Sequence, residues 1–532
     1  MAYKVLRVFA RETGPILYSF GLVLPTFDSI NNIYKMVSNR MMIKSFRFAG
    51  FVILALFTTL QAASMLQPAV AKGAVELKPC KPEGIEGDAK CGTLEVFENR
   101  ATQKGRKIKL NILVLPASGP QREPDALFYF AGGPGSGATE DASGIAQVLA
   151  SMRQRRDLVF VDQRGTGQSH PLNCELFNSA DPQSYLGSFF PLDDVRKCRE
   201  QLEPKADLTL YTTNIAMDDL DDVRAALGYE QINLYGGSYG TRAALVYLRR
   251  HPKHVRTVML HGVAPTNQFM PRSFPQDTER ALQGVLSECE ADEACHKAFP
   301  QVKTDAQRVL EALLQSPAQV EVKLRQSKDP VTVKLNRNLA AETVRYMMYS
   351  PGGANRVPLF LHLAAEGNYV PLTNAALFFR QNLVATGSNG MYLSVTCAED
   401  LPFVKGEEAK QISANTFLGS YRYDQQSAAC ELWPRAMLDS KYAEPVRSDK
   451  PVLIMTGEWD PVTPPSQGDA VAKTLPNSLH IVVNDGAHGL SGLQGIECLD
   501  RLMTQFVERG SVKGLDTSCT KDIKRKGFAL KL

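Results

Sequence analysis

The chain has 532 residues, 44% hydrophobic and 22% charged, enough to bury a large core as one catalytic domain with a large insertion, or as two domains. Its formal net charge of +4 is small for that length, and no basic run interleaved with aromatics occurs, so nothing supports a nucleic-acid partner. The short basic tail around Lys521 to Lys531 reads as a solvated end.

At the N-terminus, Lys44 and Arg47 precede the apolar stretch Phe48 to Leu60, and Ala69-Val70-Ala71 forms a small-x-small cleavage site ahead of Lys72. An apolar core of 13 residues is too short to span a bilayer, which favours a removed export signal over a membrane anchor. No cysteine sits at the cleavage site, so a lipoprotein is not expected. Export signals seldom carry an extension like residues 1–40, and the expected translation start is Met41 or Met42 rather than Met1. Residues 1–71 are thus read as upstream extension plus signal, and the protein as exported, periplasmic or secreted.

Ten cysteines in an exported chain are expected to be disulfides. In order they fall into five sequence-local pairs: Cys80 with Cys91, Cys174 with Cys198, Cys289 with Cys295, Cys397 with Cys430, and Cys498 with Cys519. Neighbour pairing rests on short loops closing easily. No CxxC occurs, and neither a metal nor a cofactor is expected.

Cys80 to Pro116 reads as a β-rich entry with a strand over 108–115. Ala126 to Phe130 is a short buried strand ending in the glycine-rich loop Ala131-Gly132-Gly133-Pro134-Gly135-Ser136-Gly137, which lacks the lysine and spacing of a phosphate-binding loop. Leu158 to Val161 runs into Asp162-Gln163-Arg164-Gly165-Thr166-Gly167-Gln168-Ser169, where Asp162 and Arg164 are expected to brace the loop. Cys174 to Leu210 looks irregular, and Asp218 to Leu227 helical. The helix's acidic cluster, Asp218, Asp219, Asp221 and Asp222, is read as a solvated face near a helix N-terminus rather than a metal site.

The strand Ile232 to Tyr235 leads into Gly236-Gly237-Ser238-Tyr239-Gly240, and Thr241 to Arg250 reads as a helix. Strand, Gly-x-Ser-x-Gly and helix in that order form a nucleophile elbow, a turn so tight that the residues flanking the serine must be small. After a strand over 257–260, residues 267–449 show helices (277–290, 304–315, 339–349, 371–385) and one hairpin, Val320 to Leu324 with Val331 to Leu335. This stretch is read as a helical lid inserted between the core segments 76–266 and 450–532. Strands over 451–455 and 479–483 complete the sheet. Alternating strands and helices imply an α/β fold with a mostly parallel sheet, in which site residues belong at strand ends.

Ser238, Asp460 and His488 each follow such an end. A serine hydroxyl needs a base to take its proton, and a carboxylate to fix that base's tautomer. Of eight histidines, only His488 stands in a glycine-bounded loop after a late strand; His251 and His254 read as surface residues. Asp460 is preferred as the acid over Asp485 and Glu458, because the acid should come from a separate strand end. The backbone N–H groups of Gly133 and Tyr239 are the candidate oxyanion donors, since Pro134 has none.

The segments 132–135, 162–169, 236–240, 457–464 and 486–489, with Cys397-Ala398-Glu399-Asp400, resemble the tripeptidyl aminopeptidase and proline iminopeptidase branch of the α/β-hydrolases over nearly the whole mature chain. Ala131 stands where proline iminopeptidases have histidine, and His261 where related sequences often carry an acid. The resemblance implies an exopeptidase of short peptides that recognises a free α-amino group through acidic residues near the lid. Glu399 and Asp400 are the candidates and Glu458 a third, although the first two could equally brace a disulfide-pinned loop. A carboxylesterase or lactone hydrolase with the same triad is the alternative, and a non-catalytic binding protein a remote one.

Overall fold

The computed structural model describes residues 75–323, 329–385 and 387–532. The export signal, its cleavage site and the alternative start codons lie outside the described residues, as does Leu324 of the expected hairpin. Among the described residues no helix is long and apolar enough to cross a membrane.

Among the described residues, eleven strands form two sheets. The larger contains β1 (Lys78–Pro79), β2 (Lys90–Phe97), β3 (Lys107–Leu115), β4 (Leu127–Phe130), β5 (Leu158–Val161), β6 (Ile232–Gly237), β7 (Val255–His261), β10 (Val452–Gly457) and β11 (Ser478–Val483). Their spatial order is β1-β2-β3-β5-β4-β6-β7-β10-β11. The β1/β2, β2/β3 and β3/β5 pairs are antiparallel, and every pairing from β5 to β11 is parallel. Strands covered on both faces should be apolar throughout rather than alternating. β4 and β5 follow this rule, with all four residues of each buried, whereas the outer strand β2 alternates in burial over most of its length. Because consecutive parallel strands leave the sheet on one edge, the ends of β6, β10 and β11 gather their following loops together.

Between β7 and β10 lie helices and the antiparallel hairpin of β8 (Ala318–Val322) and β9 (Val331–Leu335). They enclose their own apolar cluster, with Leu282, Val285, Val309, Val344 and Leu361 at its centre. The helices Phe274–Ala291, Val302–Gln315, Arg337–Met347 and Val370–Ala385 match the periodic stretches in the sequence.

All ten cysteines are in disulfides, and each is joined to its sequence neighbour as expected. Cys80 is bonded to Cys91, which sits in β2, and so staples the entry segment to that strand. Cys174 is bonded to Cys198, and Cys289 to Cys295 across the junction of two consecutive helices. Cys397 is bonded to Cys430, and Cys498 of the last helix to Cys519 near the C-terminus.

Two expectations require correction. The supposedly irregular stretch from Cys174 to Leu210 contains the helix Leu192–Leu202, whose buried face of Val195, Cys198 and Leu202 follows helical spacing. The acidic cluster is not a solvated face at a helix start. The helix runs Thr213–Ala226, so the cluster lies mid-helix, and its carboxylates are engaged by basic side chains. Asp219 is fully buried, held by Arg164 through two nitrogens at 2.7 and 3.0 Å and by Arg100 at 2.8 Å.

Candidate active site

β6 delivers Ser238 to a backbone conformation of φ +55° and ψ −126°, which few L-residues adopt, before the helix Tyr239–Arg250 begins. The turn stays closed because both flanking glycines lack side chains. A Cβ at Gly240 would collide with the Phe130 carbonyl oxygen, and one at Gly236 with the Gly240 carbonyl. The Ser238 N–H donates to the His261 carbonyl of β7 at 2.9 Å, tying the elbow to the neighbouring strand end.

The glycine-rich loop packs on this turn. A Cβ placed at Gly132 would stand 3.2 Å from Ser238 Cβ and 3.8 Å from its Oγ, so the backbone of that loop lies directly beside the serine. Asp162 holds the loop from behind: it accepts from the Thr139 N–H at 2.8 Å, Thr139 Oγ1 at 2.9 Å and Asn111 Nδ2 at 3.0 Å. Arg164 also donates to the Glu98 and Leu210 carbonyls, at 2.7 and 3.0 Å. Both side chains therefore brace loops, as their buried positions require.

Past β10, Asp460 is fully buried and saturated with donors. Oδ1 accepts from the Val462 and Thr463 N–H groups, both at 2.8 Å, while Oδ2 meets Thr463 Oγ1 at 2.7 Å and His488 Nδ1 at 2.8 Å. Burial works to raise the carboxyl, but the charge and hydrogen bond of His488 and the Thr463 donors outweigh it and hold Asp460 down at about 2. An anionic Asp460 on Nδ1 leaves Nε2 of His488 as the nitrogen available to take a proton. The rival acids point elsewhere. The Asp485 carboxylate meets Arg525 at 3.4 Å, and Glu458 accepts from the Asp485 N–H at 3.1 Å.

Close approach also shapes the other side of His488. Gly262 (φ +63°) lies against its ring, where a Cβ would come within 3.2 Å of Cε1. Beside it, His261 has a buried Nε2 without a protein partner. Burial and then the charge of His488 press its imidazole down to about 4, so it is neutral near neutral pH. The ring of Tyr349 meets the His488 ring edge-on at 4.9 Å between centroids, and its carbonyl accepts from the Gly489 N–H at 2.7 Å.

The family model described as "alpha/beta hydrolase fold" matches residues 125–332, and the one described as "TAP-like protein" matches residues 415–519. The chain has the α/β-hydrolase fold. Serine protease Hip1 of Mycobacterium tuberculosis is 25% identical over 504 residues, covering 86% of this chain and 93% of that protein. Tripeptidyl aminopeptidase of Streptomyces lividans is 23% identical over 500 residues, covering 86% and 89%. Carboxylesterase B of M. tuberculosis is 25% identical over 458 residues, covering 81% and 86%.

Glu399 and Asp400 are both fully buried, against the expectation that they meet a substrate ammonium and in keeping with the bracing alternative, although Asp400 Oδ2 has no protein partner. Glu399 Oε1 accepts from the Thr213 N–H at 2.6 Å, and Oε2 from Thr213 Oγ1 at 2.7 Å and from the Tyr442 hydroxyl. Thr213 Oγ1 is in turn 2.6 Å from the hydroxyl of Tyr239 in the elbow. Asp400 Oδ1 accepts from Arg242 at 2.9 Å and from the Met270 N–H at 3.1 Å. Burial pushes the Asp400 carboxyl up to about 6, with Arg242 working against it. Buried carboxylates with internal cationic or N–H partners are the ordinary solution for a charge removed from water.

A buried charged cluster that sequence reasoning missed connects to His488. Arg345 donates to the Tyr349 hydroxyl at 2.7 Å and grips Glu342 Oε2 through two nitrogens at 3.0 and 2.9 Å. Glu342 Oε1 is buried with no protein partner, as are Nε and Nη1 of Arg422. Arg422 donates to the hydroxyl of Tyr392 at 2.9 Å, on the helix Asn389–Glu399. That helix follows Ser388, whose N–H donates to the Gly135 carbonyl at 3.0 Å. Tyr349 thus joins Glu342 and Arg345 to His488, and the helix that carries Tyr392 joins Arg422 to the glycine-rich loop through Ser388. The Glu342-x-x-Arg345 spacing on an apolar helix was the cluster's one sequence signal.

Proposed function

We propose that this protein is an exported serine peptidase that removes residues or short peptides from the free amino terminus of its substrates. Ser238 is the nucleophile, His488 the general base and acid, and Asp460 the group that orients the imidazole. The observation that carries the reading is the 2.8 Å Asp460–His488 contact on loops that follow neighbouring strands, with Ser238 in a strained turn on the same sheet edge. His488 takes the Ser238 proton as Oγ attacks the scissile carbonyl, and an acyl-enzyme forms as the amine leaves with that proton. The N–H groups of Gly133 and Tyr239 are the proposed donors to the tetrahedral oxyanion. Water then repeats the sequence against the ester.

Similarity to a serine protease and a tripeptidyl aminopeptidase over most of the chain supports the peptidase reading. The five disulfides are consistent with export. Glu342 and Asp400 each keep one buried carboxylate oxygen without a protein partner, and Glu342 is the proposed partner of the substrate amino group because its ion-pair partner Arg345 binds Tyr349, whose ring packs on His488. Arg422, which Glu342 influences electrostatically, keeps buried N–H groups without a protein partner, and the two charges are proposed to complement a short zwitterionic peptide better than a neutral ester.

The second reading is a carboxylesterase, favoured by similarity to Carboxylesterase B over 81% of the chain. Chromophore release from short peptides with free and blocked amino termini, beside an acetate ester, separates the two. The peptidase reading expects cleavage of free-ended peptides, lost in Ser238→Ala, and an increase in KM for those peptides in Glu342→Gln with ester turnover retained. Ester hydrolysis alone, or equal use of blocked peptides, would replace it with the esterase.

A further inference from the structure

At the far end of the elbow helix from Ser238, two histidines converge on one carboxylate. His251 follows the helix Tyr239–Arg250, and His254 closes the turn Pro252–His254 that leads into β7. Both face Asp221 of the helix Thr213–Ala226: His254 Nδ1 is 2.6 Å from Oδ1, and His251 Nδ1 is 3.6 Å from Oδ2. Their imidazole rings lie nearly parallel, 8° apart in plane. One donor atom from each of the three side chains can be chosen so that all lie within 4.8 Å of one another. Donors on a tetrahedral zinc with bonds of about 2.1 Å lie about 3.4 Å apart, so small side-chain shifts close this set around an ion.

The surroundings supply what such a site needs. His251 Nε2 is 3.0 Å from Asp218 Oδ1, the carboxylate contact that fixes a ligating histidine with its other nitrogen turned to the metal. Asp218 is anchored by Arg250 at 2.8 and 2.6 Å. On Asp221, Arg224 and Tyr247 both bind Oδ1, at 2.7 and 2.9 Å, leaving Oδ2 on the side of His251. His251 and His254 are partly exposed, so an ion can enter and water can complete its coordination. Two imidazoles with one carboxylate favour a borderline transition metal over calcium or magnesium, which prefer all-oxygen sites. The arginines that already balance Asp218 and Asp221 oppose a dication, which further favours metals with strong imidazole affinity.

We infer that Asp221, His251 and His254 form a binding site for a divalent transition metal such as zinc, with Asp218 as its outer support. The ion fastens the C-terminal end of the elbow helix and the start of β7 to the helix Thr213–Ala226. It takes no part in the reaction at Ser238.

The test uses the untagged, chelator-treated protein, titrated with Zn2+ by calorimetry and with Co2+ by visible absorption, together with thermal unfolding. One equivalent is expected to bind, with the spectrum of a four-coordinate cobalt site and a raised Tm. His251→Gln and His254→Gln should each weaken binding at least roughly tenfold, Asp218→Asn by roughly 10–100-fold, and His170→Gln should leave it unchanged. No saturable binding, or binding that survives both His251→Gln and His254→Gln, overturns the proposal.

Discussion

Arg242, one helical turn past Ser238, is paired with Asp400 at 2.9 Å, and both side chains are completely buried. The pair fastens the elbow helix to the segment that carries the Cys397–Cys430 disulfide. A carboxylate serving the substrate would be expressed in KM, whereas one holding the elbow is expressed in stability. Asp400→Asn leaves a buried guanidinium without its counter-charge, a change that costs about 3–5 kcal/mol in such pairs. We therefore expect a markedly lowered Tm with an unchanged preference between free and blocked amino termini. A change in that preference at constant Tm would return Asp400 to the substrate.

Asp460→Asn retains the shape of the acid but removes the charge that holds the His488 tautomer. kcat is expected to fall on the order of 10⁴-fold with the fold intact by circular dichroism. Retention of activity within tenfold would shift the acid's role to another carboxylate, with Asp485 the first to examine.

His261 offers a pH experiment. Its neutral imidazole sits near His488, so an acid in its place adds negative charge and makes the His488 proton harder to remove. In His261→Glu the acidic limb of the kcat/KM profile should move to higher pH, while His261→Gln leaves it in place. Equal movement in both variants would refute an electrostatic origin.

Asp277, on the helix Phe274–Ala291, is pushed up to about 7, chiefly by burial, with the nearby Asp460 charge adding to the effect and the Ser273 hydrogen bond opposing it. The unfolded chain releases this proton at about 3.9, so the folded state binds it more tightly in between. The stability it contributes is complete below about pH 4 and is lost as the pH rises through about 7. Asp277→Asn should therefore raise Tm more at pH 8 than at pH 5 and flatten the difference between the two. A larger gain at pH 5 would contradict this sign.

The core was legible because its signals are local. Four-residue apolar runs such as Leu158–Val161 leave little alternative to a buried strand, and the elbow announces itself by the small residues that its geometry demands. The Asp460–His488 contact was accessible through strand ends alone. Glu399 and Asp400 misled because a charge pair next to a site-forming segment has the same sequence whether it faces the cleft or the core. Their partners Thr213, Arg242 and Tyr442 are far away in the chain, and only packing reveals them. The same applies to the acidic helix: Asp219 is a buried ion-pair partner because Arg164 arrives from the loop after β5, 55 residues earlier.

The disulfides carry a consequence for biogenesis. Their sequence separations are 11, 24, 6, 33 and 21 residues, and no bridge encloses another's cysteine. A chain emerging N-terminus first into an oxidising compartment can thus seal each loop before the next cysteine pair appears. Of the many pairings ten thiols allow, the native one is the pairing that order of emergence alone would select, so oxidation can follow the chain out without a reshuffling step.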